Sequence, residues 1–311
     1  MEWYYIVLIV IGVLLLLCFF IGFLVWKMSI PTPPKEKYEN KPTTDPEEIA
    51  IRNFSKKIKS ELENMNMEEV WIKSKDGLNL HAYYKEAEEK TNKTIISVHG
   101  WHGTAFSTAP IFSHFLTDYN YNILFIDLRS YGKSEGKYTT YGVKDSEDLV
   151  EWINYLIDRN NNDVLIALFG ISMGGNTVIS ISDIVPKNVK CIIDDCGFTT
   201  AFAEFKHILN HQMHLPTLFL YFAELINKMI CGWGYQKVSG LEALKNSKVP
   251  VLFIHGGKDT FVPTKMGEEA YSVCASEKEM KIFDNAKHAR SYFMNKEAYK
   301  NIVLSFLAKK L

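Results

Sequence analysis

The sequence predicts an α/β fold: a mostly parallel sheet of about eight strands with helices on both faces, a helical lid between the sixth and seventh strands, and one transmembrane helix ahead of it. Three patterns predict it. Residues 3–26 hold no charged side chain. Beyond residue 68, short β-branched and aliphatic runs alternate with helix-compatible stretches, the pattern of parallel strands covered on both faces. Between the sixth and seventh runs, the interval 195–248 is far longer than one crossover helix needs.

At roughly 1.5 Å per helical residue, 3–26 would reach about 36 Å, enough to cross a hydrocarbon core of about 30 Å with some tilt. Trp3, Tyr4 and Tyr5 at one end and Trp26 at the other suit the two interfacial belts. Met1-Glu2 is no basic n-region and Leu24-Val25-Trp26-Lys27 no small-residue cleavage site, so residues 1–28 read as a permanent anchor rather than a cleaved signal. Lys27, Lys35, Lys37 and Lys41 follow the span, and the basic-residue rule leans towards a cytoplasmic C-terminal domain.

Residues 29–45 carry Pro31, Pro33, Pro34 and Pro42 among Lys, Glu and Thr, which predicts a stiff, solvated stalk. Asp45-Pro46-Glu47-Glu48 then supplies an N-cap, a first-turn proline and first-turn acids, and Ile51, Phe54, Ile58 and Leu62 recur at helical spacing. A packing helix therefore opens the globular domain, 46–311. Runs 70–74 and 78–84, joined by Lys75-Asp76-Gly77, predict an antiparallel hairpin. Strands follow at 94–99, 121–127, 164–170, 189–194, 249–255 and 279–283, with helices near 264–275 and from 296 onward. The lid, about 199–240, is rich in aromatic residues such as Phe202, Phe205, Phe219, Tyr221, Phe222 and Trp233. An insertion at the carboxyl edge of a parallel sheet is placed over the crevice where ligands bind.

The 35 basic and 36 acidic side chains leave a formal charge of −1, so no net field draws the chain to nucleic acid. Cys18, Cys191, Cys196, Cys231 and Cys274 form neither a disulfide framework nor a zinc spacing. No phosphate loop or dinucleotide fingerprint is present. Neither a metal nor a cofactor is expected, and the oligomeric state is left open.

The chemistry gathers at Gly170-Ile171-Ser172-Met173-Gly174, which follows an apolar strand and precedes a helix-compatible stretch, 175–184. There the glycines permit a tight, strained turn that lifts a serine hydroxyl above the sheet. A serine hydroxyl needs an imidazole to take its proton and a carboxylate to hold that imidazole. Asp259 lies in the loop after the seventh strand and His288 in the loop after the eighth. Ser172, Asp259 and His288 thus stand in the chain order this chemistry takes on such a sheet. Asp194 and Asp195, ending the sixth strand, compete for the carboxylate role. The developing oxyanion calls for two backbone N–H groups, expected from Met173 and from Trp101 in His99-Gly100-Trp101-His102-Gly103. His102 fits either a pocket wall or a surface loop.

The stretches VHGWHG, DLRSYGKSEG, GISMGG, DDCGFTT, FIHGGKDTFVP and AKHARSY resemble α/β-hydrolases of the serine aminopeptidase S33-like (Hydrolase_4) group, and within it bacterial hydrolases with an N-terminal membrane segment. The resemblance runs from about residue 68 to the end and implies the α/β-hydrolase fold and a serine hydrolase. Where that group commonly shows Asp-x-Arg-Gly-x-Gly-x-Ser after the fourth strand, this chain has Ser130 and, next to it, Tyr131 in place of the usual histidine. The change touches loop packing and no catalytic position. In the lid the only acids between 197 and 240 are Glu204 and Glu224. Apolar acyl esters, lipid-like ones included, are therefore expected as small-molecule substrates over aminoacyl amides. Thioester cleavage, acyl transfer and a non-catalytic membrane-anchored binding scaffold are the alternatives.

Overall fold

The computed structural model describes residues 2–32, 43–65, 67–112 and 119–311. Among these, eight strands form one sheet in the order β1-β2-β4-β3-β5-β6-β7-β8. They are β1 (Glu68–Lys73), β2 (Asn79–Lys85), β3 (Lys93–Val98), β4 (Asn122–Ile126), β5 (Leu165–Ile171), β6 (Val189–Asp195), β7 (Val251–Gly256) and β8 (Lys278–Phe283). β2 runs antiparallel to both β1 and β4, and the remaining pairs are parallel. The expected hairpin joins β1 to β2: Gly77 takes φ 90°, and Ser74 N–H donates to Leu78 O at 2.9 Å. A side chain at that φ would be strained, which is why glycine stands there.

The central strands are apolar throughout because both faces are covered. Ile95, Ile123, Phe125 and Phe169 point into one layer, closed by Tyr299, Phe306 and Leu307. Their neighbours Ile96, Leu124, Ile126 and Leu168 point into the other, with Trp152, Val178 and residues of the insertion. The period of two along each strand produces this division.

The helices used below are α1 (Trp3–Ser29), α2 (Pro46–Glu63), α3 (Asp145–Arg159), α4 (Met173–Ile179), α5 (Ala201–His207), α6 (Leu218–Cys231), α7 (Gly240–Lys245), α8 (Thr264–Val273), α9 (Ser291–Met294) and α10 (Lys296–Lys310). α2 starts as its sequence predicts, with the Asp45 carboxylate accepting Glu47 N–H at 3.0 Å and Pro46 in the first turn. The expected lid segment contains α5, a π-helical turn at Ile208–Gln212 and α6.

α1 is long and apolar enough to cross a membrane by length and composition. Its last turns lie against the globular part: Val25, Trp26 and Ile30 are buried in the same apolar layer as the insertion. Tyr141 donates its hydroxyl to Ser29 O at 2.9 Å, and Thr139 N–H donates to Ile30 O at 2.8 Å. Most of the expected stalk, residues 33–42, lies outside the described residues. Its described beginning is paired to the domain, with Pro31 bridged to Tyr138.

Candidate active site

The carboxyl ends of β5, β7 and β8 converge on one point. Ser172 sits between β5 and α4 with φ 56° and ψ −116°. That backbone is strained for a residue with a side chain. What holds it is the absence of side chains around it. A Cβ on Gly170 would stand 2.1 Å from Gly174 O, and one on Gly174 would stand 2.2 Å from Val98 O. The turn can be this tight only with both glycines.

His288, in the loop after β8, points its Nε2 at Ser172 Oγ, 2.9 Å away. Its Nδ1 lies 2.7 Å from Asp259 Oδ2, close enough for the ring N–H to donate to the carboxylate. The other oxygen, Oδ1, accepts the backbone N–H groups of Phe261 and Val262 at 3.0 and 2.9 Å, which fixes the orientation of the carboxylate. Burial raises the Asp259 pKa, but the hydrogen bonds and charges of His255 and His288 outweigh it and hold the group down at about 2. Asp259 is thus a buried anion held between two imidazoles.

Asp194 and Asp195 make their hydrogen bonds elsewhere. Asp194 Oδ1 accepts Gly197 N–H at 2.9 Å, and Asp195 Oδ2 accepts the Tyr299 hydroxyl at 2.7 Å. Burial pushes them up to about 7 and about 6. Both therefore brace the end of β6. His255 is structural in the same sense: its Nε2–H points to Val262 O at 3.0 Å, with Asp259 Oδ2 at 3.5 Å.

The loop after β3 runs against the serine. A Cβ on Gly100 would be 3.2 Å from Ser172 Cβ, so the chain at Trp101 passes at close range. His99 ties this loop down at both ring nitrogens, with Nδ1–H donating to Gly100 O at 2.7 Å and Nε2 accepting Leu128 N–H at 3.1 Å. Met173 is the first residue of α4, where backbone N–H groups are left for outside acceptors. Aromatic rings wall the crevice: Phe261 lies 5.0 Å from His288, Trp101 6.4 Å from Phe261 and from Tyr141, and Phe205 of α5 4.5 Å from Tyr141. His102 lies against Trp101 at 3.5 Å, and burial lowers it to about 4, so it is neutral at pH 7.

The altered turn after β4 is held by other means. Ser130 adopts φ 68° and donates its hydroxyl to Tyr138 O at 2.6 Å, while Gly132 packs on the Asp127 carboxylate. Arg129 forks onto Asp148, both bonds 2.7 Å, and onto Asp76. These contacts knit the loop together, and none of them involves Ser172.

The chain belongs to the prolyl oligopeptidase family. That family matches residues 111–311. YqkD of Bacillus subtilis is 30% identical over 226 residues, 72% of this chain and 74% of YqkD. Protein bem46 of Schizosaccharomyces pombe is 26% identical over 251 residues, covering 79% and 78% of the two chains. Among solved structures, an esterase of Pyrococcus furiosus superposes with a TM-score of 0.66 at 24% identity, over 82% of this chain and 95% of its own. A Pyrococcus horikoshii acylaminoacyl peptidase gives 0.58 at 20% identity, over 81% of this chain and 43% of its own. At such identities the superpositions show the α/β-hydrolase fold, and the superfamily expected from the sequence motifs is the one found.

One neighbour of the site was not singled out from the sequence. Cys196, after β6, has φ 50°, and its sulfur lies with ligand atoms of Asp259 and His288 within 4.8 Å of one another. Burial, with the charges of Asp195 and Asp259, pushes its thiol well up. The signal was its place at the carboxyl end of a central strand, in the quoted DDCGFTT stretch. A cation bound there would compete for the same atoms that link Asp259 to His288.

Proposed function

We propose that the protein is a membrane-anchored serine hydrolase that cleaves carboxylic esters through an acyl-serine intermediate, on the cytoplasmic side if the basic residues after α1 set its orientation. The observation that carries this reading is the continuous hydrogen-bonded line from Ser172 through His288 to Asp259, on a turn strained into shape by Gly170 and Gly174.

In the first half-reaction Ser172 Oγ bonds to the substrate carbonyl carbon while His288 Nε2 takes the hydroxyl proton. Asp259, ionised at neutral pH, keeps Nδ1 protonated and balances the imidazolium charge. The oxyanion faces the N–H groups of Trp101 and Met173. As the ester C–O bond breaks, His288 returns its proton to the leaving alkoxide. Water then repeats the sequence on the acyl-serine, releasing the acid and restoring Ser172.

The insertion serves as a lid, and its two acids favour an apolar acyl group over an ammonium-bearing substrate. Glu204 is buried, with neither carboxyl oxygen hydrogen-bonded among the described residues, and burial together with the charge of Asp259 raises its pKa well above the usual carboxylate value, which disfavours the charged form. Glu224 is buried against Lys228, 3.3 Å away. Neither offers a free carboxylate to a substrate amine. Lipid or lysophospholipid esters suit the aromatic walls and the anchor. The S33-like motifs are part of this reading. Amide cleavage is the second reading, favoured by the match to a peptidase family.

Labelling with a fluorophosphonate probe tests the nucleophile: the wild type should label and Ser172→Ala should not. A panel of p-nitrophenyl esters, acyl thioesters and aminoacyl amides then separates the readings. Faster turnover of aminoacyl amides than of every ester would replace the esterase reading with the peptidase one, and an unlabelled wild type would leave a binding scaffold.

A further inference from the structure

Two helices that are far apart in sequence lie side by side. Phe19 of α1 packs its ring 4.9 Å from Phe222 of α6. Gly22 meets Phe222 and Ala223 so closely that a Cβ there would be 2.5 Å from Phe222 Cβ. Trp26 hydrogen-bonds to Asn227 at 3.1 Å. The partner numbers rise together, so α6 runs in the same direction as α1. Gly22 acts here as small residues do where membrane helices approach closely.

A neighbouring face of α6 carries little cover among the described residues, Phe202 with its ring 5.5 Å from that of Tyr221 being one contact there. Leu218, Tyr221, Leu225 and Met229 recur every three or four residues and are 53%, 55%, 44% and 65% exposed. Such spacing places them on one face. The two charged side chains of α6 do not interrupt it: Glu224 is turned inward, and Lys228 stands near the C-terminal end, level with Trp26. A long lysine in that position can extend to the headgroup layer.

We propose that this face of α6 lies in the acyl-chain region of the leaflet that surrounds the C-terminal half of α1, so that the lid of the site is itself a lipid-bound element. The proposal rests on α1 being a membrane anchor. Given that, the occupant follows from the register. Lys27, exposed at the end of the charge-free run, marks the headgroup level, and Phe19, eight residues earlier, stands about 12 Å deeper at roughly 1.5 Å per residue. Phe222 is level with Phe19, so lipid that surrounds this part of α1 also meets Leu218, Tyr221 and Leu225. A contiguous apolar face on a monomer is otherwise unfavourable in water. Substrate would then reach Ser172 past a lid already in contact with lipid.

The test uses the full chain in phosphatidylcholine vesicles, with Cys18 and Cys231 changed to Ser and a nitroxide placed by Leu218→Cys, Leu225→Cys or Met229→Cys. Leu14→Cys reports on the anchor and Met294→Cys, exposed on the globular domain, on water. Collision with oxygen and with a nickel chelate is read at each site. Positions 218 and 225 should lose nickel access and keep oxygen access, as 14 does, with 229 shallower than both. Nickel access at 218 and 225 equal to that at 294, with 14 shielded, overturns the proposal and leaves the anchor standing. Exclusion of both colliders at 225, with spin–spin broadening that vanishes on dilution with unlabelled chain, overturns it in favour of a second copy on this face. Nickel access at 14 removes the anchor reading and this inference with it.

Discussion

The indole N–H of Trp26 donates to Asn227 Oδ1 across 3.1 Å, and the same amide donates from Nδ2 to Trp233 O at 2.8 Å. Asn227 is fully buried, so one side chain joins the end of α1 to α6 and to the loop that follows it. An aliphatic residue of similar size could fill the space but satisfy neither partner.

Asn227→Leu should therefore destabilise the insertion by about 3 kcal/mol, since two buried polar groups lose their partners at roughly 1–3 kcal/mol each. Amide hydrogen exchange in detergent should quicken across 218–231 more than in the central strands. Unchanged exchange in α6 would show that apolar packing alone holds it to α1.

Asp259→Asn should preserve the fold and lower kcat for an ester about 10⁴-fold, because an amide facing His288 Nδ1 favours the wrong tautomer. Steady-state kinetics beside a circular dichroism spectrum check this. A loss below tenfold would mean that Asp259 does not orient the imidazole.

His102 is held neutral down to about pH 4 by burial. His102→Gln should accordingly leave the midpoint of the pH–rate profile between pH 5 and 8 where it is, whatever it does to KM. A displaced midpoint would mean that His102 contributes to that ionisation.

Glu204 gives a stability slope of known sign. Its folded pKa is raised well above the unfolded value by burial and by the charge of Asp259, and neither carboxyl oxygen has a hydrogen-bond partner among the described residues. Below the unfolded pKa both states carry the proton and there is no penalty. As pH rises above it, the unfolded chain ionises first and native stability falls, by about 1.4 kcal/mol per pH unit until the folded pKa is reached. Glu204→Gln should remove that slope and be the more stable protein at pH 7, by chemical denaturation at pH 5, 6 and 7. Parallel curves for the two proteins would refute it.

Gly174→Ala should fail structurally, not only catalytically. Its methyl would stand 2.2 Å from Val98 O, a backbone atom of the central strand that cannot move aside. A cost of about 3 kcal/mol, at the upper end for overpacking, is expected. The readout is Tm, and an unshifted Tm would mean that the turn relaxes.

The order of strands and helices was legible from the chain because it is written in local patterns. Residues 164–170 are too apolar for a half-exposed strand, and Lys75-Asp76-Gly77 is a turn whatever surrounds it. The candidate site was legible for a related reason: Ser172, Asp259 and His288 each lie in the turn or loop that follows a strand, and parallel strands bring their carboxyl ends to one edge. What local pattern could not supply was which groups of that edge touch. Asp194 and Asp195 end a neighbouring strand as well, and only the packed structure turns them to Gly197 and Tyr299 and leaves Asp259 for His288. The same holds for Cys196. The docking of α1 on α6 is the clearest case, since Trp26 and Asn227 are 201 positions apart and a run of apolar residues carries no record of which face it will bury. Periodicity and turn chemistry act within a few residues and so survive in the sequence, whereas side-chain partnership is set by close packing across the whole core, and only tertiary structure decides it.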